Sequence, residues 1–241
     1  MTYQPRTYRN NTGSCDLVSF SAAISQTDLF ISADKDLTKE AENSIKRLRS
    51  DIEGYINLYP GFETTLTPAD SDNKAPSVIK KMIKAAKSCN VGPMAGIAGA
   101  IAEGVGKDLL RFSSQVIVEN GGDIFIASKE ARIAGLYAGR SKFTNKIGIR
   151  IEPGLTPCGI CTSSATVGHS LSFGKADAVV VLSRSVALAD CSATALCNII
   201  SNKDDVDKVI SHGKQIRGVN GILIVMGDTL GAWGDVKLVD I

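Results

Sequence analysis

Hydrophobic and polar residues alternate in two regular ways along this chain, and together they predict a mixed α+β protein. Asp16 to Ile24 alternates with a period of two, and Leu29 to Ile31 follows a short polar turn, which predicts a β-hairpin. Apolar residues recur at helical spacing from Leu37 to Leu58. This pattern predicts a long amphipathic helix that begins after the N-cap residue Asp36 and ends before Tyr59-Pro-Gly.

Further elements continue the mixture of helices and strands to the end of the chain. We predict helices over 76–87, 185–200 and 204–210, a glycine-rich helix entry from Val91, and strands at 115–118, 124–126, 131–137, 146–151, 178–182, 221–226 and 236–241. Composition does not shift enough anywhere to mark a linker, so residues 1–241 are predicted to form a single domain of two closely packed halves.

Composition and charge argue against nucleic acid and membranes as partners of this chain. The chain is 44% hydrophobic and 22% charged, as in globular proteins, and its 27 Lys and Arg nearly balance its 25 Asp and Glu. Neither this balance nor the 5% aromatic content favours nucleic acid as a partner. The N-terminus has no apolar signal segment, and the most apolar run, Val91 to Ala102, is too short and glycine-rich to span a bilayer. We therefore expect a cytoplasmic protein without a membrane partner.

Residues 159–174 are the most informative segment for function. They include three glycines, six hydroxyl residues, Cys161 and His169, and no charged residue. Hydroxyls buried without hydrogen bonds cost roughly 1–3 kcal/mol each, and glycines allow close approach of the backbone. The segment predicts a loop around a small anionic ligand; the alternative is a Ser/Thr-rich turn packed against its own domain.

Cysteines and a carboxylate–hydroxyl pair are the other candidates for chemistry. Cys158-Gly-Ile-Cys161 has the spacing of half a zinc site, but no second close pair of ligands accompanies it, so zinc is not favoured. Asp190 and Thr194 are four residues apart on a predicted helix and could offer two oxygens to a hard cation. Spacing alone favours the simpler interpretation, a surface Asp and a Thr hydroxyl bonded to the preceding turn.

Three segments, in order, resemble the ApbE family of magnesium-dependent flavin transferases. Gly96-Ile-Ala-Gly-Ala-Ile-Ala-Glu is similar to that family's GIAKG helix start, and Val118-Glu-Asn-Gly-Gly-Asp-Ile to its N-x-GGDI strand-turn. Ala189-Asp-Cys-Ser-Ala-Thr-Ala resembles its AD-x-x-x-TA helix, and Cys161-Thr-Ser-Ser stands where the family has its TSG strand. The closer resemblance, over most of the chain, is to an ApbE-like family of anaerobic archaea and bacteria with VGPMA-x-x-AGAIAE, VENGGDI and GICTSS-x-TVGHSLSFGKADA.

The resemblance implies a fold, a site and cofactors. The fold would be two pseudo-repeated, T-fold-related halves with antiparallel sheets packed by helices. Magnesium and a flavin nucleotide are the implied cofactors, with another nucleotide or anionic metabolite as alternative ligands. The implied metal ligands are Asp190 and Thr194; the implied ligand-binding residues are Asn120, Gly121, Gly122, Asp123, Thr162, Ser163, Ser164, Gly168 and His169.

Departures from the ApbE pattern limit the implied activity. Gly99 stands where that family has the lysine of GIAKG, and its H-x-I-D-P-x-T-G segment is missing. A complete FMN transferase site is therefore not expected. The closer family implies a role in sulfide assimilation into homocysteine, with no settled mechanism.

Two functions from different classes follow. In a transferase-type enzyme, Cys161 would carry a persulfide, with its pKa lowered by His169 and with Cys158 as a resolving thiol. In the alternative, the chain is a non-catalytic accessory subunit. Its expected partners are a small-molecule ligand, together with a second copy of the chain or a sulfur-metabolism protein.

Overall fold

An eight-stranded antiparallel sheet is the centre of the computed structural model, which describes residues 16–166 and 173–241. The strands are β1 (Val18–Ile24), β2 (Thr27–Ala33), β3 (Val116–Asn120), β4 (Asp123–Ala127), β5 (Arg132–Gly135), β6 (Ile147–Ile151), β7 (Cys158–Ser163), β8 (Ala178–Ser183), β9 (Val219–Met226), β10 (Thr229–Gly234) and β11 (Lys237–Asp240). The large sheet has the order β1-β2-β3-β4-β7-β8-β9-β10, and a small antiparallel sheet has the order β11-β6-β5.

Helices cover one face of the large sheet and the small sheet covers the other. The α-helices are α1 (Thr38–Leu58), α2 (Gly61–Thr64), α3 (Ser77–Cys89), α4 (Ile97–Leu109), α5 (Val186–Ile199) and α6 (Val206–Gly213). Buried residues of these helices form one apolar cluster with alternate residues of the large sheet. The remaining sheet residues pack with β5 and β6 in a second cluster. This two-sided burial explains why β8 is apolar at almost every position.

Local patterns predicted several elements well. β1 and β2 form the expected hairpin, with Ser25 at φ +52° in its two-residue turn. The α1 helix begins within one residue of its predicted start. Its N-cap residue is Leu37 and not the predicted Asp36, although Asp36 Oδ1 accepts hydrogen bonds from the backbone N–H and the hydroxyl of Thr38. The helix α1 ends before Tyr59 as expected, and the short helix α2 follows it.

Two predictions on secondary structure were wrong. β10 was missed because its two glycines, Gly231 and Gly234, interrupt the alternation of apolar and polar residues. The first residues of the 159–174 segment are not a ligand loop: Cys158 to Ser163 form β7, which lies between β4 and β8. Its hydroxyl residues begin only at Thr162, near the end of the strand, so the buried part of β7 needs few polar partners.

The α+β class and the antiparallel sheets packed by helices are confirmed. The single-domain assignment, the internal repeat and the relation to the T-fold stay predictions. Within the described ranges, no helix is both long enough and apolar enough to cross a bilayer. For the site, the important feature is that β4, β7, α4 and α5 pack against one another.

Candidate functional site

The tight turn between β3 and β4 carries the first part of the site. Asn120 pairs with Asp123 across the turn, and both intervening glycines have positive φ, +65° at Gly121 and +104° at Gly122. Two positive φ angles are the requirement of a type I′ hairpin turn, which glycine meets without strain. The sequence Asn-Gly-Gly-Asp therefore places Asp123 at the first position of β4.

Two side-chain hydrogen bonds hold this turn in place. The Asn120 Nδ2 group donates to the Ala98 carbonyl at 3.1 Å, which ties the turn to the beginning of α4. The Gly122 N–H donates to Glu119 Oε1 at 3.0 Å. Sequence reasoning missed Glu119, a buried carboxylate of β3, although it lies inside the Val-Glu-Asn-Gly-Gly-Asp-Ile motif.

Asp123 and Asp190 form a pair of buried carboxylates, which we call the carboxylate pair. Their residues are only 8% and 9% exposed. Asp190 Oδ2 accepts a hydrogen bond from the Gly99 N–H at 2.8 Å. Asp123 Oδ1 is buried and has no hydrogen-bond partner among the residues that the structure describes. Such an atom is unusual in a folded protein and is accounted for by a bound water, an ion, a ligand or a proton at this position.

The electrostatics of the carboxylate pair follow from this burial. Burial raises the pKa of Asp190 to about 7, although the Gly99 N–H opposes the rise. Burial also raises the pKa of Asp123 well above its ordinary value, and repulsion from Asp190 adds to the effect. The Cys161 thiol and the Thr162 backbone act in the opposite direction. Two neighbouring buried carboxylates therefore resist full ionisation at neutral pH unless a cation joins them.

Close packing of α4 against α5 positions Asp190. A Cβ atom at Gly99 would lie 2.6 Å from the Val186 carbonyl oxygen and 3.0 Å from Cβ of Asp190. At Gly96, it would lie 2.7 Å from Sγ of Cys191. Glycine at these positions lets the helices approach closely enough for the Gly99 N–H to reach the carboxylate. In this chain, the departure from the ApbE lysine at position 99 is thus part of the helix packing.

The remaining predicted residues lie in several places. Thr194 is half-buried on α5, one turn after Asp190; Thr162 and Ser163 end β7, and Ser164 follows it. Gly168 and His169 lie outside the described residues. Within 16–166 and 173–241, no three Cys, His, Asp or Glu side chains form a group suited to a metal ion. The acidic part of the site is thus the carboxylate pair, with Glu119 bonded to the turn beside it.

The predicted reactive state of Cys161 was wrong. Cys161 is completely buried in β7, and its thiol donates to the Val186 carbonyl with a sulfur–oxygen distance of 3.4 Å. Burial raises the pKa of Cys161 well above its usual range, and the charges of Asp123 and Asp190 raise it further. A thiolate, the reactive form, is therefore disfavoured at neutral pH.

The predicted partnership of Cys158 with Cys161 was also wrong. Side chains three apart on a strand point to opposite faces of the sheet. Cys161 accordingly packs in the cluster beneath the helices, whereas Cys158 packs in the cluster beneath the small sheet. Cys158 cannot act as a resolving thiol for Cys161 without disruption of β7.

We expect Cys161 to be alkylated more slowly than Cys89 and Cys158 in the native protein at pH 7. Cys161 has no exposed surface, whereas the other two are 8% and 5% exposed. Its reaction must therefore wait for opening of the core, and we expect a rate at least roughly tenfold lower. Mass mapping of iodoacetamide adducts over time measures this order, with denatured protein as the control for equal intrinsic reactivity. Modification of Cys161 ahead of both would restore the sulfur-carrier hypothesis.

Comparisons with known proteins support the architecture just described. A family model described as AbpE bacteria matches residues 10–233. The UPF0280 protein of Methanocaldococcus jannaschii is 42% identical over 219 residues, covering 88% of this chain and 89% of the relative. The UPF0280 protein of Methanosarcina acetivorans is 37% identical over 216 residues, which cover 88% of this chain and 85% of the relative.

Solved structures show the same fold at low sequence identity. The flavin transferase ApbE from Vibrio cholerae superposes with a TM-score of 0.56 at 13% identity, covering 90% of this chain and 96% of that one. The ApbE protein of Thermotoga maritima gives a TM-score of 0.57 at 14% identity, and the match covers 89% of this chain and 96% of that one. The chain therefore belongs to the family described as AbpE bacteria, together with the archaeal UPF0280 proteins, and it has the fold of the ApbE flavin transferases.

Proposed function

We propose that this protein binds an anionic small molecule, such as a flavin nucleotide, through a magnesium ion held by the carboxylate pair. The observation that carries the proposal is the buried Asp123 Oδ1 atom, which has no partner among the described residues. A divalent cation would provide that partner and remove the repulsion between Asp123 and Asp190.

The donor set fits magnesium better than a softer metal. Two carboxylates and the Thr194 hydroxyl are hard oxygen donors, and magnesium commonly uses one or two carboxylates together with waters and ligand phosphates. Because no group of three or more Cys, His, Asp or Glu side chains suited to a metal occurs within the described residues, waters and the ligand would have to supply the remaining coordination. When bound, the ion would neutralise phosphate charge on the ligand.

The remaining site residues would bind and orient the ligand. We assign Asp190 to the cation, with its orientation maintained by the Gly99 N–H, and Asp123 to the opposite side of the cation. The Gly121-Gly122 turn offers backbone close to Asp123. The predicted ligand contacts at the end of β7 are the hydroxyls of Thr162 and Ser163. Ser164, Gly168 and His169 are the predicted contacts that follow the strand in sequence.

We expect no detectable transfer of FMN from FAD to a threonine of an acceptor protein. Gly99 replaces the lysine of the ApbE motif, and the H-x-I-D-P-x-T-G segment is missing. Incubation with FAD, magnesium and an ApbE acceptor domain, followed by in-gel flavin fluorescence, measures transfer. An active ApbE protein is the positive control, and a fluorescent acceptor band produced by this chain would contradict the expectation.

The proposal includes a role in sulfide assimilation into homocysteine. That role is implied only by the resemblance to the closer family. The buried Cys161 argues against this thiol as the sulfur carrier, so the contribution of the chain would be ligand binding. Burial raises the pKa of four thiols, and this favours the second candidate, a non-catalytic accessory subunit that binds a sulfur-metabolism partner or a second copy of the chain; the four are Cys89, Cys158, Cys161 and Cys191.

Thermal denaturation with magnesium and FMN, FAD or ADP tests the proposed site. A ligand that binds only the native state raises the melting temperature with concentration. We expect magnesium to stabilise the wild type, the nucleotide to add to this effect, and Asp190→Asn or Asp123→Asn to abolish it.

Asp108→Asn is the matched control for these variants. Asp108 is a partly buried carboxylate of α4 that bonds Ser44 and Arg47, away from the pair. This variant should lose stability but keep its response to magnesium. Equal responses in Asp190→Asn and the wild type would contradict the proposal.

A further inference from the structure

Glu103 is a buried carboxylate of α4 that neither the pattern nor the family motifs assign to the site. Its residue is 3% exposed. Glu103 Oε2 accepts a hydrogen bond from the Val186 N–H at 3.0 Å, at the first residue of α5. The carboxylate therefore lies at the N-terminus of the helix that carries Asp190, where a negative charge is stabilised by the helix dipole.

Glu103 and Asp190 make a reciprocal connection between two helices. Glu103 of α4 accepts the Val186 N–H of α5, and Asp190 of α5 accepts the Gly99 N–H of α4. Both donors belong to the first turn of a helix, where backbone N–H groups have no α-helical partner. Each helix thus satisfies a free donor of the other through a carboxylate, and this fixes both the separation and the rotation of the two helices.

Two lysines keep Glu103 in the form that this connection needs. Lys81 and Lys107 both form ion pairs with Glu103 Oε1. The distance from Lys81 Nζ to Glu103 Oε1 is 3.1 Å. Although burial acts in the opposite direction, these lysines hold the pKa of Glu103 below its ordinary value. A charged acceptor makes a stronger hydrogen bond to the Val186 N–H than a neutral one would.

We propose that Glu103 is a positioning residue that holds Asp190 at the cation site through the start of α5. The inference rests on the proposed function, because it assigns the purpose of the connection to the carboxylate pair. Loss of the Glu103 charge should let α5 shift, open the bond between Gly99 and Asp190, and weaken cation binding without removing either cation ligand.

Hydrogen exchange of backbone amides, followed by NMR, tests this role directly. In Glu103→Gln, we expect the Gly99 amide to exchange at least roughly tenfold faster relative to Val181, an amide of the central strand β8. A purely structural role would accelerate all slowly exchanging amides together. Asp108→Asn changes a carboxylate on the same helix. It should alter the exchange rate of the Val181 amide as much as Glu103→Gln does, but the ratio of the Gly99 exchange rate to the Val181 exchange rate should stay unchanged.

Val186→Pro provides a second variant that keeps every charge. Proline is tolerated at the first residue of a helix, and Ser185 before it already has an extended conformation. Removal of the Val186 N–H should accelerate exchange of the Gly99 amide relative to the Val181 amide, as we expect for Glu103→Gln. It also keeps the test decisive if Glu103→Gln fails to fold.

Magnesium titrations of the same variants separate this inference from the proposed function. We expect the magnesium concentration needed for half-maximal stabilisation to rise about tenfold in Glu103→Gln and to stay unchanged in Asp108→Asn. If the ratio of the Gly99 and Val181 exchange rates is unchanged in both Glu103→Gln and Val186→Pro, the role of Glu103 is overturned. This holds for any outcome of the magnesium titrations. A wild type that does not respond to magnesium overturns the proposed function, and with it the purpose assigned to Glu103.

Discussion

Asp190→Asn should make the metal-free protein more stable than the wild type at pH 8. The pKa of Asp190 is raised from 3.8 to about 7 in the folded protein, so the native state keeps a proton that the unfolded chain releases. The stability linked to that proton is complete below about pH 4 and is lost as the pH rises through about 7. An asparagine is neutral at every pH and can still accept the Gly99 N–H.

The size of this effect follows from the shift in pKa. A tenfold change in a proton dissociation constant corresponds to about 1.4 kcal/mol, so the rise of the Asp190 pKa from 3.8 to about 7 sets an upper limit of roughly 4 kcal/mol on the stability lost between pH 4 and pH 8. Because Asp123 titrates with Asp190, this energy belongs to the carboxylate pair as a whole.

Urea unfolding in EDTA at pH 5 and pH 8 measures the prediction. The difference in unfolding free energy between Asp190→Asn and the wild type should be larger at pH 8 than at pH 5. Magnesium should then stabilise the wild type but not Asp190→Asn. Asp108→Asn is the control, because it removes a carboxylate whose pKa is lowered, and it should destabilise the protein at pH 8. A difference independent of pH would show that burial does not raise the pKa of Asp190.

Gly99→Lys, which introduces the lysine of the ApbE motif, should destabilise the protein by about 3 kcal/mol and restore no flavin transfer. The new Cβ would lie 2.6 Å from the Val186 carbonyl oxygen, a backbone atom that cannot rotate away. The clash should separate α4 from α5 and break the bond between the Gly99 N–H and Asp190. Chemical denaturation measures the loss, and the flavin-fluorescence assay measures transfer.

Gly54→Ala is the matched control for this substitution. Gly54 lies within α1, and no other heavy atom would come within 4 Å of its new Cβ. Alanine should therefore stabilise the protein by about 0.5–1 kcal/mol through its higher helix propensity. If Gly99→Lys were as stable as the wild type, the close approach of α4 and α5 could not be what positions Asp190.

Local patterns allowed much of the fold to be predicted. The apolar spacing of α1, the alternation of β1 and the Asn-Gly-Gly-Asp turn each depend on residues near one another in sequence. Their conformations follow from helix and strand periodicity and from the positive φ angles that glycine accepts. The order of the motifs also identified the family and, within it, Asp123 and Asp190 as candidate site residues.

The chemical state of the site depended on contacts that no local pattern contains. Cys161 lies among hydroxyl residues in sequence, yet β4, β8 and α5 bury it, and this raised its pKa instead of lowering it. Glu103 and Gly99 gained their roles only from the approach of α5. The sequence by itself determined most of the helices and strands, although not β7 or β10, and which carboxylates are available. Only the tertiary structure decided which of those carboxylates are buried together, because burial and charge repulsion arise between residues that are far apart along the chain.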